Sequence, residues 1–404
     1  MGVADADLRI ARGDAVALAR ALVRVDSRNP TLVPGAPGEA AVARFLSGVL
    51  EAWGFRVELH DASPGRPNVV ARVGDPEGGR SLMFNGHVDV VGVEGMVHTP
   101  FGGEERDGRL YGRGASDMKA GVAAMCAAAA RTAAAGALAG EIIVAAVVDE
   151  EFESLGSRAL VARGVRADAA VVTEPTRLAI MPAHKGFVWI DVTLHGRAAH
   201  GSRWDIGVDA IRHAGLLLAE LDRLDTDLLP SRGHPLLGRP SVHASLIEGG
   251  TGMSTYPERC LLRLERRTIP GERVADAVAE VEAACARVRA RRPTFAADVT
   301  VTVSQQPSDV DTDAPIVRAL AAALAARGES TRIEGMSAWT DAAILNDAGI
   351  PAICFGPGDI SLAHAAEEFV IIEEIERATA VLTCLAGEWC GGTRADNRVG
   401  AWHS

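Results

Sequence analysis

An imidazole and a carboxylate two residues apart, His87 and Asp89, follow the apolar run Ser81–Asn85. Another carboxylate, Asp117, closes the segment YGRGASDMK (111–119) just before an alanine-rich run. Two further apolar runs end in acids, Ile142–Val148 in Asp149-Glu150-Glu151 and Ala169–Thr173 in Glu174-Pro175. Singly, each group has an ordinary explanation: a structural histidine, a helix N-cap at Asp117, a solvated pair of glutamates. Delivered to one place they would repel, and would be protonated or neutralised by metal. Imidazole with carboxylate is a donor set suited to zinc, with cobalt or manganese open.

The elements that must deliver them are short. Asn68–Val73, Ser81–Asn85, Ile142–Val148 and Ala169–Thr173 read as strands, with Met118–Ala135 and Leu155–Arg163 as helices between them. Apolar strands alternating with helices predict an α/β fold with a mixed, largely parallel sheet and flanking helices. In such a sheet ligands bind beyond the carboxyl ends of the strands, which places these acids on one rim. Ahead of them, helical spacing from Asp14 to Trp53 is broken around Asn29–Gly38 by Pro30, Pro34 and Pro37. Beyond Glu174-Pro175 the order becomes strand 187–194, helix 208–221, strands 241–247 and 260–267, helix 275–291 and strand 298–303. That β-α-β-β-α-β order predicts an inserted α+β ferredoxin-like domain. The α/β pattern then resumes with a helix over 315–326, a strand over 350–355 and a last helix from Glu373. The expected division is a metal-binding catalytic domain from residues 1–182 and 305–404, interrupted by a dimerisation or lid domain at 183–304.

Composition excludes several partners. The 404 residues are 48% hydrophobic, enough to build a sizeable core. Lys and Arg number 41 against 53 Asp and Glu, so a net charge of −12 repels nucleic acid. The longest apolar stretch, Val122–Ala130, is far short of the roughly 20 residues of a membrane span. The first ten residues lack a basic and then apolar leader, and Ala6 replaces the Ser or Thr of a myristoylation site. The six cysteines form no CxxC pair, which fits reduced thiols and a cytoplasmic location. Gly112-Arg113-Gly114 starts like a dinucleotide fingerprint, but Asp117 takes the third glycine's place, and a phosphate would not favour a carboxylate there.

The chain resembles the co-catalytic zinc amidohydrolases of peptidase family M20, which include acetylornithine deacetylase, succinyl-diaminopimelate desuccinylase, aminoacylase and glutamate carboxypeptidase. The segments that carry the resemblance are GHVDV (86–90), GRGASDMKAG (112–121), VVDEE (147–151), TEP (173–175), GRAAHGS (196–202) and FGPGD…SLAHAAEEFV (355–370). It implies two divalent metal ions, zinc foremost, held by His87, Asp117, Glu151, Glu174 and His364, with Asp117 bridging. Asp89 would fix the His87 ring through its second nitrogen, and Glu150 would be the general base. Two divalent ions balance the charge of Glu150 and the three ligand carboxylates; one ion would leave −2. His200 would reach across a homodimer interface to a developing oxyanion, and Arg267 would hold a substrate carboxylate.

The resemblance further implies hydrolysis of the amide of an N-acyl amino acid or similar small acylated amine. A dipeptidase, carboxypeptidase or N-carbamoyl-amino-acid amidohydrolase on the same site is the alternative, and a catalytically silent metal-stabilised binding protein the alternative of another class. Ser254 stands near the substrate position where many relatives carry Asn, and Trp204 and Trp339 are bulkier than the residues of known branches.

Overall fold

The structure is a computed structural model that describes residues 10–136 and 138–392; the N-terminal segment read above for a leader, with Ala6, lies outside them. Chain packing gives two compact units. One comprises the described residues up to Pro182, Val310–Glu334 and those from Thr340 onward; the other comprises Ala183–Asp309 and Gly335–Trp339.

The first unit begins with helices α1 (Ala15–Val23) and α2 (Ala40–Ala52), then strands β1 (Arg56–Ser63), β2 (Arg66–Gly74) and β3 (Ser81–His87). After β4 (Glu104–Arg106) and β5 (Arg109–Tyr111) come α3 (Ala120–Ala134), β6 (Glu141–Val147), α4 (Leu155–Ala162), β7 (Ala169–Val172) and β8 (Ile180–His184). Its main sheet is ordered β1-β2-β6-β3-β7 and continues through a strand from the far end of the sequence, Ala352–Cys354, to β8. β6, β3, β7 and that late strand are mutually parallel, so their carboxyl ends share one edge. β1 was not anticipated: it is a largely exposed antiparallel edge strand whose apolar alternation is limited to Val57 and Leu59.

In α3 every residue from Ala120 to Ala130 is buried, which explains why alanine and glycine dominate there: a helix enclosed on all sides has room for few larger side chains, here Val122, Met125 and Cys126. The helix starts at Ala120, with Lys119 as its N-cap, so Asp117 is no cap and stays free for chemistry.

The second unit carries β9 (Gly186–His195), α5 (Ala210–Arg223), β10 (Ser241–Gly249), β11 (Arg259–Thr268), α6 (Val274–Arg291) and β12 (Ala296–Gln305). Its four strands are antiparallel in the order β10-β11-β9-β12, the ferredoxin-like arrangement. Residues of α5 and α6 pack on Val188, Ile190, Val192, Leu262 and Leu264. This unit runs further than residue 304 because β13 (Ser308–Asp309) pairs with Ala183 and His184. It also takes in Gly335–Trp339, since the Trp339 indole donates to the Gln306 carbonyl at 2.9 Å and meets Phe187 edge-on.

The remaining elements are α7 (Pro315–Ala326), β14 (Ile333–Met336), α8 (Ala342–Asp347), β15 (Ala352–Cys354, the late strand), β16 (Phe369–Ile371) and α9 (Ile372–Cys390). No helix among the described residues is long and apolar enough to cross a membrane.

The seam between α3 and the sheet yields a test. A Cβ on Gly121 would stand 1.9 Å from the Thr173 carbonyl oxygen. Gly121→Ala gains about 1 kcal/mol of helix propensity, against an overpacking cost of about 1–3 kcal/mol. The obstacle is main chain and cannot rotate aside, so the clash wins and Tm falls. A thermal melt showing an unchanged or higher Tm would disprove this account of the seam.

Candidate metal centre

The shared edge of the parallel strands does what the sequence pattern requires. His87 ends β3, Asp149-Glu150-Glu151 follow β6, Glu174 follows β7, and the chain beyond β15 leads to His364. Asp117 enters from the loop ahead of α3.

His87 Nε2 lies 3.1 Å from Asp117 Oδ1 and 3.8 Å from Glu150 Oε2. His364 Nε2 lies 2.9 Å from Glu151 Oε2 and 3.7 Å from Asp117 Oδ2. Asp117 therefore turns one carboxylate oxygen toward each imidazole, the disposition of a bridging ligand. Ligand atoms of His87, Asp117 and Glu151 all fall within 4.8 Å of one another. Glu174 is buried, and among the described residues its Oε1 has no hydrogen-bond partner.

The electrostatics describe a site short of positive charge. Burial pushes the Glu150 and Glu174 carboxyls well above the ordinary range, the neighbouring acids adding to it against His87. Burial also raises Glu151. Burial opposes ionisation of Asp117 too, yet the hydrogen bond and charge of His87, with His364 and Arg113, hold it below the usual value. His87 is raised well above an ordinary imidazole because Asp117, Glu150 and Glu174 outweigh its burial. The Glu151 hydrogen bond lifts His364 to about 9. Protons on two imidazoles thus do part of what cations would do. An unpaired buried carboxylate oxygen costs about 1–3 kcal/mol, and imidazole nitrogens with carboxylate oxygens are a fitting donor set for divalent transition metals. The residues present fit such ions.

Other carboxylates act on the main chain. Asp89, fully buried, accepts the amides of Glu150 at 3.1 Å and Glu151 at 3.2 Å. The expected bond from its carboxylate to the His87 ring is not made. His87 Nδ1 instead lies 3.0 Å from the Asp89 carbonyl oxygen and 3.6 Å from Oδ1. The result for the ring is the same, since a proton held at Nδ1 leaves the Nε2 lone pair for a metal. Glu368 mirrors Asp89. One of its oxygens accepts the amides of Ser116 at 3.0 Å and Asp117 at 3.1 Å, and the other accepts Arg113 at 2.7 Å. Neither Glu368 nor Arg113 was singled out from sequence, although both lie in segments quoted for the resemblance; a buried ion pair 255 residues apart leaves no mark in one chain. His364 and Asp149 take left-handed backbone angles, φ of 60° and 67°, a strain of about 1–3 kcal/mol each that is typical of functional sites.

His200, Ser254 and Arg267 belong to the second unit. His200 is exposed, with Nδ1 2.8 Å from the Ser202 hydroxyl. The exposed Ser254 contributes its carbonyl to the Gly201 amide at 2.7 Å. Arg267 is half-buried and paired with Glu265 at 2.6 Å, whereas its neighbour Arg266 is buried between Glu272 and Glu280. Trp339 is buried packing; Trp204 is 81% exposed.

Comparison with known proteins places the whole chain. The model of a family described as peptidase family M20/M25/M40 matches residues 83–388. An acetylornithine deacetylase of Myxococcus xanthus is 34% identical over 85% of this chain and 90% of its own length. An N-formyl-4-amino-5-aminomethyl-2-methylpyrimidine deformylase of Bacillus subtilis is 30% identical over 89% of this chain and 92% of its own. Among solved structures, a tripeptidase of Staphylococcus aureus covers 95% of this chain and all of its own with a TM-score of 0.79; at 19% identity this is a likeness of fold.

Metal uptake should follow pH in a set direction. Ions take the deprotonated imidazole, and the free His364 keeps its proton up to about 9. Affinity for zinc should therefore rise as pH rises toward 9, by about tenfold per unit for each proton displaced. Calorimetric titration of metal-free protein at pH 7, in two buffers of different ionisation enthalpy, should record at least one proton released per chain. Uptake without proton release would contradict this charge balance.

Proposed function

The chain belongs to peptidase family M20/M25/M40, and from that membership we propose that it is a two-metal hydrolase cleaving the amide of a small N-acylated amino acid or related acylated amine. The observation that carries the proposal is Asp117, whose two oxygens face one imidazole each while Glu150 stands beside the pair. His87, Asp117 and Glu174 would hold one ion, and Asp117, Glu151 and His364 the other. Zinc suits these donors best, with cobalt or manganese as substitutes. Bound there, the ions would supply Lewis acidity toward an amide carbonyl and make water acidic enough to lose a proton near neutrality.

Glu150 receives that proton. Its burial raises its proton affinity, which suits a group that accepts a proton and then delivers it to the leaving amine nitrogen. Its main-chain amide is fixed by Asp89, so the side chain starts from a set position. His200 would donate to the oxyanion as the carbonyl becomes tetrahedral; with Nδ1 turned to Ser202, Nε2 has no hydrogen-bond partner among the described residues. Of the adjacent arginines, Arg267 rather than the buried Arg266 would bind a substrate carboxylate, exchanging Glu265 for it. Ser254 would offer a hydroxyl close to the substrate.

A homodimer is supported by β10, an edge strand with Leu246 and Ile247 exposed, since such edges pair with another chain. A cytoplasmic setting is supported by six cysteines unpaired among the described residues, five of them buried.

Glu150→Gln should keep its metal content and lose about 10²–10⁴-fold in kcat. The substrates to use are N-acetyl, N-formyl, N-succinyl and aromatic N-acyl amino acids, with dipeptides and N-carbamoyl amino acids in parallel to separate the two kinds of amide hydrolase. Chelation should abolish turnover, and added zinc, cobalt or manganese should restore it. Undiminished turnover by Glu150→Gln would end the assignment of the base.

A further inference from the structure

Asn29 sits in the loop after α1, far in sequence from every residue of the centre, and is fully buried. Its segment runs alongside the one that carries Asp89. Ser27 Oγ donates to the Val88 carbonyl at 2.7 Å, the Val90 amide to the Ser27 carbonyl at 3.1 Å, and the Asn29 amide to the Val90 carbonyl at 2.8 Å. Lys119 fastens the start of the segment, Nζ donating to the Val25 carbonyl at 2.8 Å. The Asn29 side chain is thereby set between two buried carboxylates, and Nδ2 donates to both: Asp89 Oδ2 at 2.9 Å and Asp149 Oδ1 at 3.0 Å. Oδ1 accepts the Thr31 amide at 2.9 Å.

Both carboxylates grip the same loop. Asp89 accepts the amides of Glu150 and Glu151. Asp149 accepts those of Glu153 at 3.3 Å and Leu155 at 3.4 Å, and its carbonyl accepts that of Ser154 at 2.6 Å. Behind Asp149 stands Arg66, 2.7 Å away and itself paired with buried Glu39. One guanidinium among three carboxylates leaves the group short of donors, and the primary amide of Asn29 has the two protons needed to join Asp89 to Asp149. A carboxylate at position 29 would match its shape and have nothing to donate.

We propose that Asn29 is a positioning residue for proton transfer: by tying Asp89 to Asp149 it fixes the loop that presents Glu150 and Glu151. The inference rests on the reading of Glu150 as the group that moves the proton. In metal-saturated protein, Asn29→Ala should lower kcat by about 10–100-fold with KM within twofold and two metal ions per chain retained. Asn29→Asp should lose more than Asn29→Ala despite its nearly native shape; should it fail to fold, the alanine variant still decides.

A readout without turnover is amide hydrogen exchange. Residues 150–155 should exchange about tenfold faster in Asn29→Ala, while 116 and 117, held by Glu368, stay as protected as in the parent. Unaltered exchange over 150–155, a kcat within twofold of the parent, or activity lost in proportion to lost metal would each overturn the proposal. Exchange needs no substrate, so a parent chain that turns over none of the amides would count against the hydrolase reading alone.

Discussion

Removing a carboxylate from water costs several kcal/mol unless it is hydrogen-bonded or paired, and this fold buries Asp89, Asp117, Asp149, Glu174 and Glu368 within the segments that frame one rim. Two kinds of solution are visible. Asp89, Asp149 and Glu368 are saturated by peptide amides and by Asn29, Arg66 or Arg113. Asp117 and Glu174, with Glu150 and Glu151, have far less: two histidines between them, and one oxygen with no partner. Acids that are fully satisfied shape the loops, and acids left wanting are the ones that can take metal and protons. The rest of the unit serves that division. Parallel strands end together at the rim, and α3 closes on the sheet with nothing larger than alanine or glycine where it meets the Thr173 carbonyl.

Much of this was legible because it rests on types and order along the chain. Apolar runs ending in acids placed the strand ends to within a residue or two, and the ferredoxin-like order of the second unit followed from alternating helix and strand patterns. Pairing across long stretches of chain was not legible. β1 has only Val57 and Leu59 alternating among polar residues, and its place depends on its pairing with β2. That His87 binds the carbonyl of Asp89 rather than its carboxylate depends on where the Glu150 and Glu151 amides point, which residue types do not encode. The same holds for Asn29, which looks like a turn former beside Pro30, and for Arg266 and Arg267, adjacent in sequence but alternately buried and half-buried because a strand turns successive side chains to opposite faces.

The two units differ in what their sequences constrain. Motifs of the first unit carry the histidines and acids that could hold metal, and a metal tolerates few donor types at few positions. The second unit has to present a surface, and many sequences do that. Its exposed Trp204 and Met253 and the edge strand β10 belong to that surface. Family membership is therefore plain in this chain.

The separation of the first unit into distant stretches of sequence has a consequence in time. His87, Asp117, Glu151 and Glu174 leave the ribosome before any of the second unit, but β15 and His364 follow only after it. Since domains fold as units in the order of their synthesis, the second unit, contiguous but for Gly335–Trp339, has most of its chain in hand while the sheet of the first still lacks an inner strand. Asp117 and Glu151, whose partner His364 is still to come, spend that interval in water, where a carboxylate needs no companion. Burial of the charge cluster is thus a late event in the life of the polypeptide, and the ion-binding pocket closes among the last parts of the molecule to be made.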